Sequence, residues 1–272
     1  MFRLAVVGAL VFMSVGTASA QTAPPAPGPL DNLVPTPHPA IGPRNIQSDI
    51  AVDVQWRRAL REKYEGKFPD PAPRTPEGKP DLSGVWMALG RPERPAMTPA
   101  ALTVLENRYK TNLKDFPYSV CLPFAPVPGD GLWVVMHNRT QLVTLFEQPP
   151  NYRLVSLDGR PHPSDVEPTW MGHSIGTWEG DTLVVDSIGF NDKSWLLPPI
   201  FMGPHTENMR IRERWTRTTM GVMTVEVIYE DPETFVKPWK VVYPLFLAPG
   251  ENLMENICEN NKFQQLSAGQ NP

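Results

Sequence analysis

From about residue 132 onward the chain is a succession of short β-prone runs cut by turn residues, and this rhythm restricts the fold more than any other feature. The runs are 132–137, 141–148, 152–157, 173–177, 182–188, 209–216, 223–230 and 239–247, with a shorter one at 254–258. Pro149-Pro150-Asn151, Asp158-Gly159, Glu179-Gly180, Met220-Gly221 and Pro249-Gly250 separate most of them. Upstream, Pro80-Asp81-Leu82-Ser83-Gly84-Val85-Trp86 leads into a first strand. Many short strands at this spacing predict an all-β fold, an antiparallel β-barrel, with a sandwich as the second arrangement. No repeat period and no Rossmann glycine fingerprint is present.

Two accessory helices precede most of the strands. Over 49–65, Val52, Trp56, Leu60 and Tyr64 recur at i+4 and form one apolar stripe. A second helix begins at Thr98-Pro99, an N-cap followed by proline at the first helical position. Leu102, Leu105, Tyr109 and Leu113 give it a face. Together these elements predict one domain over 48–272.

The N-terminus reads as a secretory signal over 1–20. Arg3 is the positive flank, 4–15 the apolar stretch and Ala18-Ser19-Ala20 the cleavage site, so the mature chain is expected to start at Gln21. The apolar stretch is shorter than the ~20 residues a span needs, and no later segment approaches that length. An uncleaved anchor is the alternative reading. Export to a bacterial periplasm or beyond is therefore expected. Residues 21–47 are a tail rich in Pro, Ala and Gly that cannot bury a core. The chain holds 33 prolines, and those beyond the tail punctuate rigid loops. Its net charge of −4 and lack of a basic block argue against a nucleic-acid partner.

The two cysteines, Cys121 and Cys258, are expected to bridge in an exported chain. The bridge would tie the start of the β region to its end. Two buried free thiols are the alternative.

One hairpin can be placed in register from its charges. With Thr219-Met220-Gly221 as a three-residue loop and its glycine left-handed, Thr218 faces Val222, Arg214 faces Glu226 and Arg210 faces Glu230. Both ion pairs then lie on one outward face. The other face carries Ile211, Glu213, Trp215, Val225, Val227 and Tyr229. Glu213 is thus expected to point inward, with a raised pKa unless a cation or several donors meet it.

The segments PDLSGVW (80–86), DGRPHP (158–163), WMGHSIGTWEGDTLVVDSIGFND (170–192), GPHTENMRIRERW (203–215) and ENICEN (255–260) resemble a family of exported bacterial hypothetical proteins. The resemblance spans most of the mature chain and implies export, but names no reaction. Ser83-Gly84-Val85-Trp86 is also similar to the Gly-x-Trp opening of lipocalin-like barrels, which implies an apolar ligand cavity.

Four residues are candidate acid–base groups: His173, Asp186, His205 and Glu213. If Glu179-Gly180 is a two-residue turn, His173 faces Asp186, and a carboxylate beside an imidazole fixes its tautomer. A structural hydrogen bond at a sheet edge is the competing reading. His205, near the start of the strand that carries Glu213, is expected toward the barrel mouth. His162, His173 and His205 with Asp186 or Glu213 match no metal motif, so no metal and no cofactor is assigned. No G-x-S-x-G elbow is present for a serine nucleophile. Trp170, Phe190, Asn191, Trp195, Trp215 and Tyr229 are the candidate ligand contacts, although such aromatics are often simply core. The expectation is a barrel acting on a small apolar or aromatic molecule, as a cofactor-independent lyase or hydrolase or as a binding protein without chemistry.

Thiol titration of the unfolded, unreduced protein is expected to find about zero free thiols. Two free thiols per chain would remove the bridge.

Overall fold

Alternation of inward and outward side chains, strand after strand, curls the β runs into a closed barrel of nine strands in chain order. The structure is a computed structural model, and it describes residues 59, 62–64, 66–68, 71–88, 95–111, 113–123, 131–147, 151–196 and 203–253. The strands are β1 (Gly84–Ala88), β2 (Leu132–His137), β3 (Gln141–Phe146), β4 (Asn151–Ser156), β5 (His173–Glu179), β6 (Thr182–Ile188), β7 (Arg210–Arg217), β8 (Val222–Glu230) and β9 (Trp239–Leu247). All neighbours are antiparallel except β4 and β5. A lipocalin-like barrel, as expected, fits this topology. The signal segment, the Pro-rich tail, most of the first helix, the run at 254–258 and Cys258 lie outside the described residues. Among the described residues there is no free cysteine, and no helix is long and apolar enough to cross a membrane.

The barrel closes where β1 meets β9, with Trp86, Met87 and Ala88 opposite Leu247, Phe246 and Leu245. Arg217 caps this end. Its guanidinium lies 4.8 Å from the Trp86 ring centre and donates to the Asp81 carbonyl at 2.5 Å. The Trp86 indole donates to Leu82 O at 3.0 Å. The interior is filled by large side chains, with Trp86, Trp133, Trp215, Tyr229 and Tyr243 all fully buried.

The β7–β8 hairpin has the expected register, Arg214 opposite Glu226 and Arg210 opposite Glu230. Its ion pairs differ. Arg214 bonds Glu179 at 2.8 Å, Glu226 takes Lys240 at 2.6 Å, and Glu230 is nearest Arg212 at 3.4 Å. A long side chain on a central strand has neighbours on both sides, and here the acids of β5 and β6 win the arginines. Nor is Gly221 left-handed. It is glycine because a Cβ there would meet Phe68 Cδ2 at 2.6 Å.

Helix α1 (Pro99–Lys110) is capped as expected, Thr98 accepting from Ala101 N. Its buried residues are Ala101 and Leu105, with Leu102 and Tyr109 only half-buried. The 3-10 turn Pro117–Val120 follows.

Candidate functional site

The barrel wall is weakest between β4 and β5, where the parallel pairing covers only Val155–Ser174 and Ser156–Ile175. β4 also inverts the usual pattern: Arg153 and Val155 point inward, while Tyr152 and Leu154 are exposed. Asn151 to Leu154 have a strand partner on the β3 side only. The gap they leave is an open cleft of about 480 Å³, within the range of small-ligand sites. Tyr152, Arg153 and Leu154 form one wall, and Trp170, Met171, His173 and Ser174 the other, with Pro123, Gln141 and Asn151 also contributing. The second wall is pinned to the end of β6. Thr169 N donates to Gly189 O at 3.0 Å and Asn191 N to Thr169 O at 2.8 Å. Gly172 lies at φ 65°, and a Cβ there would meet Ile188 O at 2.7 Å. Only glycine allows this approach.

Behind the cleft lies a buried polar network. Arg153 donates from Nη1 to Glu213 Oε1 at 2.6 Å, from Nε to Ser174 Oγ at 3.1 Å and from Nη2 to Ser187 Oγ at 2.7 Å. The two serine hydroxyls are 2.8 Å apart. Trp215 Nε1 donates to Glu213 Oε2 at 2.7 Å. Glu213 therefore points inward as expected, fully buried, and a cation meets it. Each of its oxygens accepts one hydrogen bond, from Arg153 and from Trp215, and these bonds tie it into the barrel wall. Tyr229 is buried in the same interior, and burial raises its phenol above the ordinary range. Trp215 and Tyr229 are thus core residues.

The expected His173–Asp186 pairing does not form. His173 lies opposite Ile188, and Asp186 opposite Ile175. The turn residues are Gly180 and Asp181, since Glu179 pairs with Thr182. Gly180 sits at φ 60°, the first loop position of a II′-like turn. Asp181 leaves the ladder to take Arg74 in a two-pronged ion pair at 2.9 and 2.6 Å. Both His173 and Asp186 face the outer wall, where His162, from the loop after β4, connects them. Its Nδ1 is 2.8 Å from His173 Nδ1, so one ring donates to the other. Its Nε2 is 3.4 Å from Asp186 Oδ2. Arg210 holds Asp186 with two bonds at 2.6 and 2.5 Å. Burial pushes the Asp186 carboxyl upward, but Arg210 and His162 outweigh it and hold the group below the usual carboxylate range. Burial, then His162 and Arg160, lower the pKa of His173. His173 is therefore neutral near pH 7 and has the cleft on one side.

His205 belongs to a third cluster. Its Nε2 is 2.5 Å from Ser194 Oγ and its Nδ1 is 3.1 Å from Thr206 O. Asp231 braces the same segment through Thr206 N at 2.7 Å. Phe190 meets the His205 ring edge-on, and Arg108 of α1 lies 4.0 Å over the Trp195 ring. Ser194, His205, Phe190, Asn191 and Trp195 are all buried. The Ser–His pair has nucleophile–base spacing but no exposure, and the cluster seats the loop after β6 against α1. His205 and Glu213 therefore form no joint site.

Of the candidates, His173 and Trp170 line the cleft. Asp186 stands behind His173, and the other candidates are buried structure. The cleft residues that sequence reasoning missed include Asn151, Tyr152, Arg153, Leu154, Met171 and Ser174. One signal for Arg153 was available: a buried Glu213 demands a cation, and Arg153 sits in a short apolar strand. Among the described residues no group of three or more His, Cys, Asp or Glu could hold a metal.

Glu213→Leu is expected to destabilise the protein by about 3–5 kcal/mol, because it leaves the Arg153 charge buried without its partner. Arg153→Met combined with Glu213→Leu should recover most of that loss. Denaturant unfolding of the two variants checks this, and a Glu213→Leu protein as stable as the parent would refute the clasp.

Burial, with Arg108 adding to it, lowers the pKa of His205, against the opposite pull of the Thr206 carbonyl, Asp231 and Asp192. Below the ordinary value of 6.5 the unfolded chain takes up a proton that folded His205 resists. This contribution is therefore full above that value and is lost as pH falls. Unfolding free energy should drop between about pH 7 and pH 5, and His205→Asn should flatten the slope. An unchanged slope in the variant would assign the loss to other groups. No family model matches the chain and no curated protein is significantly similar to it, so the site is read from its own chemistry.

Proposed function

We propose that this barrel binds a small apolar or aromatic molecule in the cleft between β4 and β5, outside the cytoplasm. The observation that carries the reading is the cleft's composition. Trp170, Tyr152, Met171 and Leu154 supply apolar surface, and Arg153, Ser174 and His173 supply a few convergent polar groups. That mixture is what small-molecule sites use to combine affinity with orientation. The packed interior argues for the seam rather than the barrel centre. Export rests on the leader pattern at 1–20 and on the family resemblance, and a Cys121–Cys258 bridge belongs to the same reading.

A second reading adds chemistry. His173 is neutral, reaches the cleft, and is backed by His162, Asp186 and Arg210 in line. Such a chain orients the imidazole and accepts charge when it takes a proton, which suits acid–base work on a bound molecule without a cofactor. It supports a lyase or a hydrolase equally.

The neutral fluorescent probe N-phenyl-1-naphthylamine is expected to bind the protein, and Trp170→Ala to weaken it about tenfold. Unchanged affinity in both Trp170→Ala and Tyr152→Ala would sink the cleft. For the catalytic reading, His173→Gln should spare folding and lower turnover of a screened substrate by about 10²–10⁴-fold. Binding without any turnover, unaltered in His173→Gln, would leave the binding function alone.

A further inference from the structure

Resting on that cleft, a more specific statement concerns its ligand. Among the described residues no Asp or Glu lines the cleft, although the chain as a whole carries a net charge of −4. Its polar lining is weighted toward donors. Asn151 uses its side-chain oxygen to accept from Tyr152 N at 2.8 Å. Its Nδ2 is buried and has no hydrogen-bond partner. A buried amide N–H left unmet costs free energy, so it marks a place where an acceptor is missing. Arg153, 4% exposed, has five N–H groups. Three of them go to Glu213, Ser174 and Ser187, so two remain. Glu213 occupies one edge of the guanidinium, and β4 carries both Arg153 and Asn151 to the cleft.

We propose that the cleft takes an aromatic acid, its ring against Trp170 and Tyr152 and its anionic group on the Asn151 amide and the remaining Arg153 N–H groups. Charge-assisted hydrogen bonds are about twice as strong as neutral ones. With no competing acid among the described lining residues, an anion gains that difference. A neutral apolar ligand would leave the Asn151 amide unmet.

Two probes with the same ring system separate the anion from the ring: 1-anilinonaphthalene-8-sulfonate and its neutral counterpart N-phenyl-1-naphthylamine. The sulfonate is expected to bind about tenfold more tightly. Asn151→Asp retains an oxygen for Tyr152 N but replaces the donor with an acid. It should erase the sulfonate's advantage over the neutral probe, while Trp170→Ala weakens both. Equal affinities that both fall in Trp170→Ala would keep the cleft and overturn the anion. Affinities indifferent to Trp170→Ala would overturn the cleft reading, and this inference with it.

Discussion

The Arg153 guanidinium does at the β4–β5 seam what backbone hydrogen bonds do everywhere else in the barrel. Parallel pairing there covers two positions, against three at the β1–β9 closure and four to eight at the other seams. From β4, Arg153 crosses to Ser174 on β5, Ser187 on β6 and Glu213 on β7. One side chain thereby fastens four strands. A buried ion pair is weak evidence for stability by itself, because desolvation offsets much of the attraction. Here its geometry matters more than its net energy. A leucine at either position would fill space but would not specify where β4 stops relative to β5.

That fastening also explains why the outer wall is divided. On β5 to β8 the outward face carries cross-linked charges among its Thr, Val and Ile residues, as in Asp186–Arg210, Glu179–Arg214 and Arg212–Glu230. On β2 to β4 the outward rows are Met136–Val143–Leu154 and Val134–Leu145–Tyr152. Turning Arg153 inward forces Tyr152 and Leu154 outward, since side chains alternate strictly along a strand. The exposed apolar face is the consequence of the polar core, and it borders the cleft.

Strand existence was legible because it depends on local alternation and on turn residues, and eight of the expected runs fall within two residues of β2 to β9. Glu213 was placed correctly because the charges of one hairpin fix its register. The β5–β6 register was misplaced by one residue, and with it the supposed His173–Asp186 contact, although glycine at the first loop position of a type II′ turn is a local signal for Gly180-Asp181. The exposed Arg74–Asp181 ion pair accompanies that turn. The partner of His173 was hidden. His162 reaches it from a loop whose path depends on Gly172 and on contacts with Gly189. Aromatics were the least readable. Phe190 and Trp195 look like loop contacts for a ligand, yet they bury themselves against His205 and Arg108.

The seam draws these threads into one physical argument for where function lies. A closed barrel satisfies its backbone groups by pairing every strand on both sides. At the β4–β5 seam this barrel leaves parts of both strands paired on one side and replaces the missing ladder with a single arginine. That substitution has two consequences. It opens a slot in the wall, and it brings buried donors to the slot's floor. His173, set at the start of β5, stands at the rim with His162 and Asp186 behind it. A chain selected for packing alone would pair the seam and omit the arginine, its acid and both serines. The polar clasp and the slot arise from the same departure from regular pairing, which is why the proposed ligand site is the slot and not the filled interior.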